Sequence, residues 1–62
     1  MQKRHFKMIA AELRDLLEST ETLEERAVAI RAIKRMAAVG TAFNDYFKRD
    51  VFYRACGLEV LE

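Results

Sequence analysis

Apolar residues recur at steps of three and four through the first part of the chain: Phe6, Ile9, Ala10, Leu13, Leu16 and Leu17. That spacing places them on one stripe, with Lys3, Arg4, Lys7, Arg14, Asp15 and Glu18 mostly off it, and predicts an amphipathic helix over about 3–18. Met8 and Ala11 fall on its flank. The first turn is basic while Glu12, Asp15 and Glu18 load the second half, the reverse of what the helix dipole favours. Either tertiary packing outweighs that mismatch or the basic end serves another purpose.

Ser19-Thr20-Glu21-Thr22 is a break. Thr22 and Glu25 stand at capping-box spacing, with Thr20 as the competing N-cap, and Glu21, Glu24 and Glu25 suit the positive end of a helix starting there. So short a connection makes the flanking helices antiparallel neighbours. The second helix, predicted over about 22–46, carries more apolar surface than one neighbour covers. One stripe, Leu23, Ala27, Ile30, Ile33, Ala37 and Gly40, leads to Phe47 and is assigned to the first helix. A second, Val28, Ala32, Met36, Val39, Phe43 and Tyr46, is a candidate interface. Either the third helix and the tail cover it or another molecule does. Ala27, Ala29, Ala32, Ala37 and Gly40 permit close approach of another helix. Glycine inside a helix costs about 1 kcal/mol relative to alanine, so Gly40 marks close packing, a kink or an early helix end.

A corner is expected within Asn44–Asp50, and the residues after it predict a short helix over about 49–56. Gly57 fits the left-handed position past its end, with Leu58 as the apolar contact of a Schellman motif against Phe52 or Tyr53. The predicted structural core is Phe6, Ile9, Leu13, Leu16, Ile30, Ile33, Phe47, Phe52 and Cys56, with Gly57 as its turn residue. The fold class is therefore all-α: an antiparallel hairpin plus a short C-terminal helix, in one domain spanning 1–62.

Length changes this picture by making the core marginal. A chain of 62 residues buries only about 60% of the surface it exposes when unfolded. The single Cys56 excludes an internal disulfide, and one Cys with one His cannot complete a structural zinc site, so no metal or cofactor is expected. Association is the remaining supplement, most simply a symmetric homodimer through the central helix. No apolar run approaches a membrane span and the start is too charged for a signal peptide, so the expected compartment is the cytoplasm, without membrane contact.

The residue inventory argues against catalysis. His5 and Cys56 are the only candidate base and nucleophile, and a cysteine just before a helix-ending glycine feels negative potential that raises its pKa. Cys56 reads as a small buried filler beside Phe52, and His5 as a boundary residue. There is no glycine-rich phosphate loop, and no catalytic or cofactor-binding residue is assigned. Net charge is only +1, yet the hairpin is expected to gather Lys3, Arg4, Lys7, Lys34, Arg35, Lys48 and Arg49 at one end, opposite Glu18, Glu21, Glu24 and Glu25. That candidate basic patch supports an alternative, a small nucleic-acid-associated regulatory protein, although no recognition-helix motif accompanies it. Protein binding fits the excess apolar surface better, with Met8, Met36 and Tyr53 expected to be exposed.

Asn44…Phe47-x-Arg49-x-x-Phe52-x-x-Ala55-Cys56-Gly57, with the opening Arg4-His5-Phe6-x-x-Ile9-Ala10, resembles small helical proteins encoded by bacteriophages and prophages. Asp45 stands where that pattern has proline, Lys48 where it usually has aspartate, and Val51 where a charge is common. Without the proline the central helix could continue to Phe47; without the aspartate, Asp50 is left as the substitute N-cap. The resemblance implies a phage or prophage context, hence a bacterial host cytoplasm, and a fold without a reaction. The expected function is a small non-enzymatic phage accessory protein that binds an unidentified protein, with a host-directed or anti-defence role open. A purely structural subunit of a larger assembly is the further alternative.

Overall fold

The computed structural model describes residues 3–58, and these form three helices in the order α1 (Lys3–Glu18), α2 (Leu23–Phe43) and α3 (Arg49–Ala55), each packed against the other two. The all-α hairpin with a short third helix matches the expectation. The proposed docking of the tail falls mainly on 59–62, outside the described residues.

The ends of the helices follow from local chemistry. Ser19 and Thr20 turn back on α1, their hydroxyls donating to the carbonyls of Leu16 and Leu17 at 2.7 Å each. Thr22 is the N-cap of α2, accepting from the Glu25 N–H at 3.1 Å, and the Glu25 carboxylate reaches back to the Glu21 N–H at 3.0 Å. This is the capping-box logic with the return bond displaced by one residue, and it leaves Thr20 to α1. Helix α2 stops at Phe43, short of the predicted end near 46. Asn44 takes an extended conformation, and its Oδ1 accepts from the Tyr46 N–H at 2.9 Å. That Asx turn gives the backbone an alternative to the helix without any proline.

Asp50 is not the N-cap of α3. Lys48 holds that position without a side-chain cap, and Asp50 lies inside the first turn, 3.7 Å from Arg54. The other end of α3 closes as predicted. Gly57 has φ +86°, its N–H donates to the Arg54 carbonyl at 3.0 Å, and the Leu58 N–H donates to the Tyr53 carbonyl at 2.9 Å. These are the two bonds of a Schellman motif, with Leu58 and Tyr53 both packed at the core margin.

Ala10, Leu17, Ala29, Ile33, Ala37, Phe52 and Cys56 form the buried core. Phe6, Phe47 and Phe52 stack around it with ring centroids 5.0, 5.5 and 6.2 Å apart. The Phe47 ring lies on Gly40, so closely that an alanine methyl there would fall 2.6 Å from Phe47 Cζ. Close packing is therefore the reason for this glycine, and α2 continues past it.

Several core assignments need correction. Leu16 is 46% exposed, at the edge of α1, and Gly57 is exposed although its turn role stands. Leu23, at 83% exposed, and Ala27 lie off the buried face, which runs instead through Ala29, Ile33, Ala37 and Gly40. The reason is geometric: α2 meets α1 and α3 together, so its buried centre shifts between the two predicted stripes and takes in Ala29. Phe6, Ile9, Leu13, Ile30 and Phe47 are half-buried, packed against the core.

Candidate functional site

The second stripe of α2 remains uncovered by the described chain. Val28 is 63% exposed and Phe43 65%; Val39 is at the exposed margin, and Ala32 and Met36 are half-buried. These five positions follow one another at steps of four, four, three and four along some 22 Å of helix. Tyr46 belongs to the corner after α2, so it extends the stripe only as a neighbour, with its side chain 88% exposed. Of the three residues expected to be exposed, Met8 is; Met36 and Tyr53 lean on the core.

Helix α3 does not cover the stripe because it docks on the other side of α2. The Thr41 hydroxyl, itself donating to the Ala37 carbonyl at 3.0 Å, accepts from Arg49 Nε at 3.1 Å, which ties the start of α3 to that side. Thr41 follows Val39 by two residues, about 200° around a helix. The third helix and the stripe thus face nearly opposite ways.

Toward the hairpin turn the stripe opens into a hollow of about 380 Å³, lined chiefly by Leu16, Ser19, Thr20, Val28 and Ala29, with Glu24 and Glu25 at its rim. Ser19 and Thr20 turn their hydroxyls onto α1 carbonyls and Thr22 turns its own onto α2, so these three short side chains do not fill the gap. Neither the half-exposed Leu16 nor the buried Ala29 was recognised as lining a hollow. Their shared signal is position: each lies on the turn-proximal part of its helix.

No known family, curated protein or solved structure matches this chain.

Charge is separated along the hairpin. Glu18, Glu21, Glu24 and Glu25 are exposed at the turn, and Lys3, Arg4, Lys7, Lys48 and Arg49 are exposed at the other end, where Phe6 meets Phe47. Lys34 and Arg35 are exposed too, but they lie near the middle of α2, some 13 Å of helix before Phe43. All seven residues of the predicted basic patch are thus exposed, five of them at that end and two on α2 nearer its middle. Arg49 is also engaged with Thr41.

The candidate chemistry is sparse. Cys56 is fully buried at the end of α3, and burial pushes its thiol pKa up, away from the thiolate that nucleophilic attack requires. His5 is exposed on α1. Among the described residues no three His, Cys, Asp or Glu side chains cluster as metal ligands would, and no helix is long and apolar enough to cross a membrane.

Proposed function

We propose that this protein acts by binding another protein chain through the Val28–Phe43 stripe, and not by catalysis. The exposure of Val28 and Phe43 on one helical line, facing away from α3, carries the reading. Large apolar side chains that share a line and that no described residue covers mark association surfaces, whereas scattered ones do not. The small core adds a reason for association, since a domain of this size gains stability from a partner. The likeness of the Asn44–Gly57 segment to phage and prophage proteins supports a phage accessory role in a bacterial host cytoplasm, host-directed or anti-defence.

A photo-crosslinking residue placed at Phe43, at Val28 or, as a control, at the exposed polar Arg31 tests this in cells. The expected result is a discrete adduct from positions 43 and 28 that is absent from 31. Equal labelling from all three sites, or none from any, would remove the stripe as a binding surface.

A further inference from the structure

Arg35 edges the uncovered stripe at its middle. It stands three residues after Ala32 and four before Val39, which sets it beside both on the helix surface. The residue is exposed, and its side chain makes no ion pair or hydrogen bond among the described residues, whereas Arg14, Arg49 and Arg54 each have a partner. Its own helix offers none. Residues 26–44 contain no Asp or Glu, and one turn before Arg35 stands Arg31, a like charge at the spacing where repulsion is felt. We propose that the occupant of the stripe is an amphipathic helix of a different protein, with apolar residues along Val28–Phe43 and a carboxylate on its flank that pairs with Arg35. This inference rests on the binding role of the stripe and names the chemistry of its partner.

Spacing argues for a helix. The stripe runs along one side of α2 for some four turns, the line a second helix follows when it packs lengthwise, and the small Ala32 permits close approach. Charge argues for a carboxylate, and only on one flank. The other edge of the stripe, toward α1, carries the exposed Glu12 one turn before Leu16, and Glu24 and Glu25 rim the hollow. Acid on the partner is therefore welcome beside Arg35 and unwelcome elsewhere. A second copy in the antiparallel register that matches the two stripes sets Arg35 against Arg35, so self-association is the weaker use of this surface. The tail is no better placed. Gly57 lies against Arg14, two residues and so about 200° around α1 from Leu16, which puts the start of the tail on the side of α3.

The chain has no tryptophan, so a tryptophan in a synthetic helical peptide reports binding directly. Three peptides sharing one leucine stripe and carrying Glu, Gln or Lys along one flank test the proposal on dilute protein. Wild type is expected to bind the Glu peptide about fivefold more tightly than the Gln peptide, with the Lys peptide weakest. The spread should narrow as salt is raised. Arg35→Glu should reverse the order of the Glu and Lys peptides. Lys34→Glu makes the same charge change on the Thr41 side of α2 and should leave the order as it is. Helicity confirms that both variants, at exposed positions, are folded. Val60→Ser/Leu61→Ser should bind as wild type does; a large gain in affinity for every peptide would make the tail the occupant and overturn the proposal. Equal affinity for the three peptides, or equal effects of the two charge reversals, would overturn the acidic partner. If Phe43→Ala then still weakens all three alike, the binding role of the stripe stands. Binding of no peptide also overturns the proposal, and if Phe43 gives no adduct in cells the binding role fails with it.

Discussion

Gly40 shows how one residue can decide between local propensity and packing. Replacing it with alanine removes a helix penalty of about 1 kcal/mol. The new methyl would meet a Phe47 ring that packs on both Phe6 and Phe52, at centroid distances of 5.0 and 5.5 Å. Overpacking of that kind costs about 1–3 kcal/mol, so Gly40→Ala should lower the urea midpoint. A higher midpoint would show that Phe47 is not seated there. The sequence marked Gly40 as unusual but left three explanations open, because the ring that explains it arrives from across the corner. Cys56 is the second single-residue case. Its folded thiol holds its proton more tightly than the unfolded one, because burial disfavours the thiolate. Below the ordinary thiol pKa both states are protonated and stability is unaffected. Above it the unfolded chain releases the proton first, so stability falls until the raised folded pKa is passed. Cys56→Ala should remove that alkaline loss, and alkylation of wild type should proceed only as fast as the chain opens. Rapid alkylation of the native thiol would contradict this burial.

At the level of the elements, chemistry carried in a few neighbouring residues was readable from the sequence and chemistry set by three-body packing was not. The Thr22 cap and the Gly57 turn are local, and both stand where the spacing put them. The end of α2 is local as well, but the Asx turn at Asn44 competes with helix continuation, and the apolar run through Phe43 and Tyr46 hid it. The buried line of α2 was displaced because periodicity reports apolar stripes without saying from which directions neighbours arrive. Ala29 became core and Leu23 did not. Helix α3 has only seven residues and cannot persist without packing, so Phe52 at its centre is the anchor. Phe52→Ala should cost about 3–5 kcal/mol, enough to unfold so small a domain in mild denaturant. A variant as stable as wild type would mean that α3 is peripheral.

For the whole molecule, the sequence raised a contest for the second apolar stripe, and the placement of α3 removes one contestant. Arg49 and Thr41 hold α3 on the far side of α2, and among the described residues nothing covers the line from Val28 to Phe43. What sequence could not convey was the hollow beside Val28, since it is formed by residues on two helices and by what a short turn fails to cover. The basic end was legible only in part. Lys34 and Arg35 are exposed as expected but sit about 13 Å of helix before Phe43, nearer the middle of α2 than its end. Backbone amide NMR shifts followed from dilute to concentrated protein test most directly whether the stripe is the associating surface. Concentration-dependent changes are expected at Val28, Ala32, Met36, Val39 and Phe43 and around Leu16, with the Thr41 side of α2 and the exposed face of α3 unchanged. Shifts that do not move with concentration, or that move instead around Lys3, Arg4 and Lys7, would contradict it.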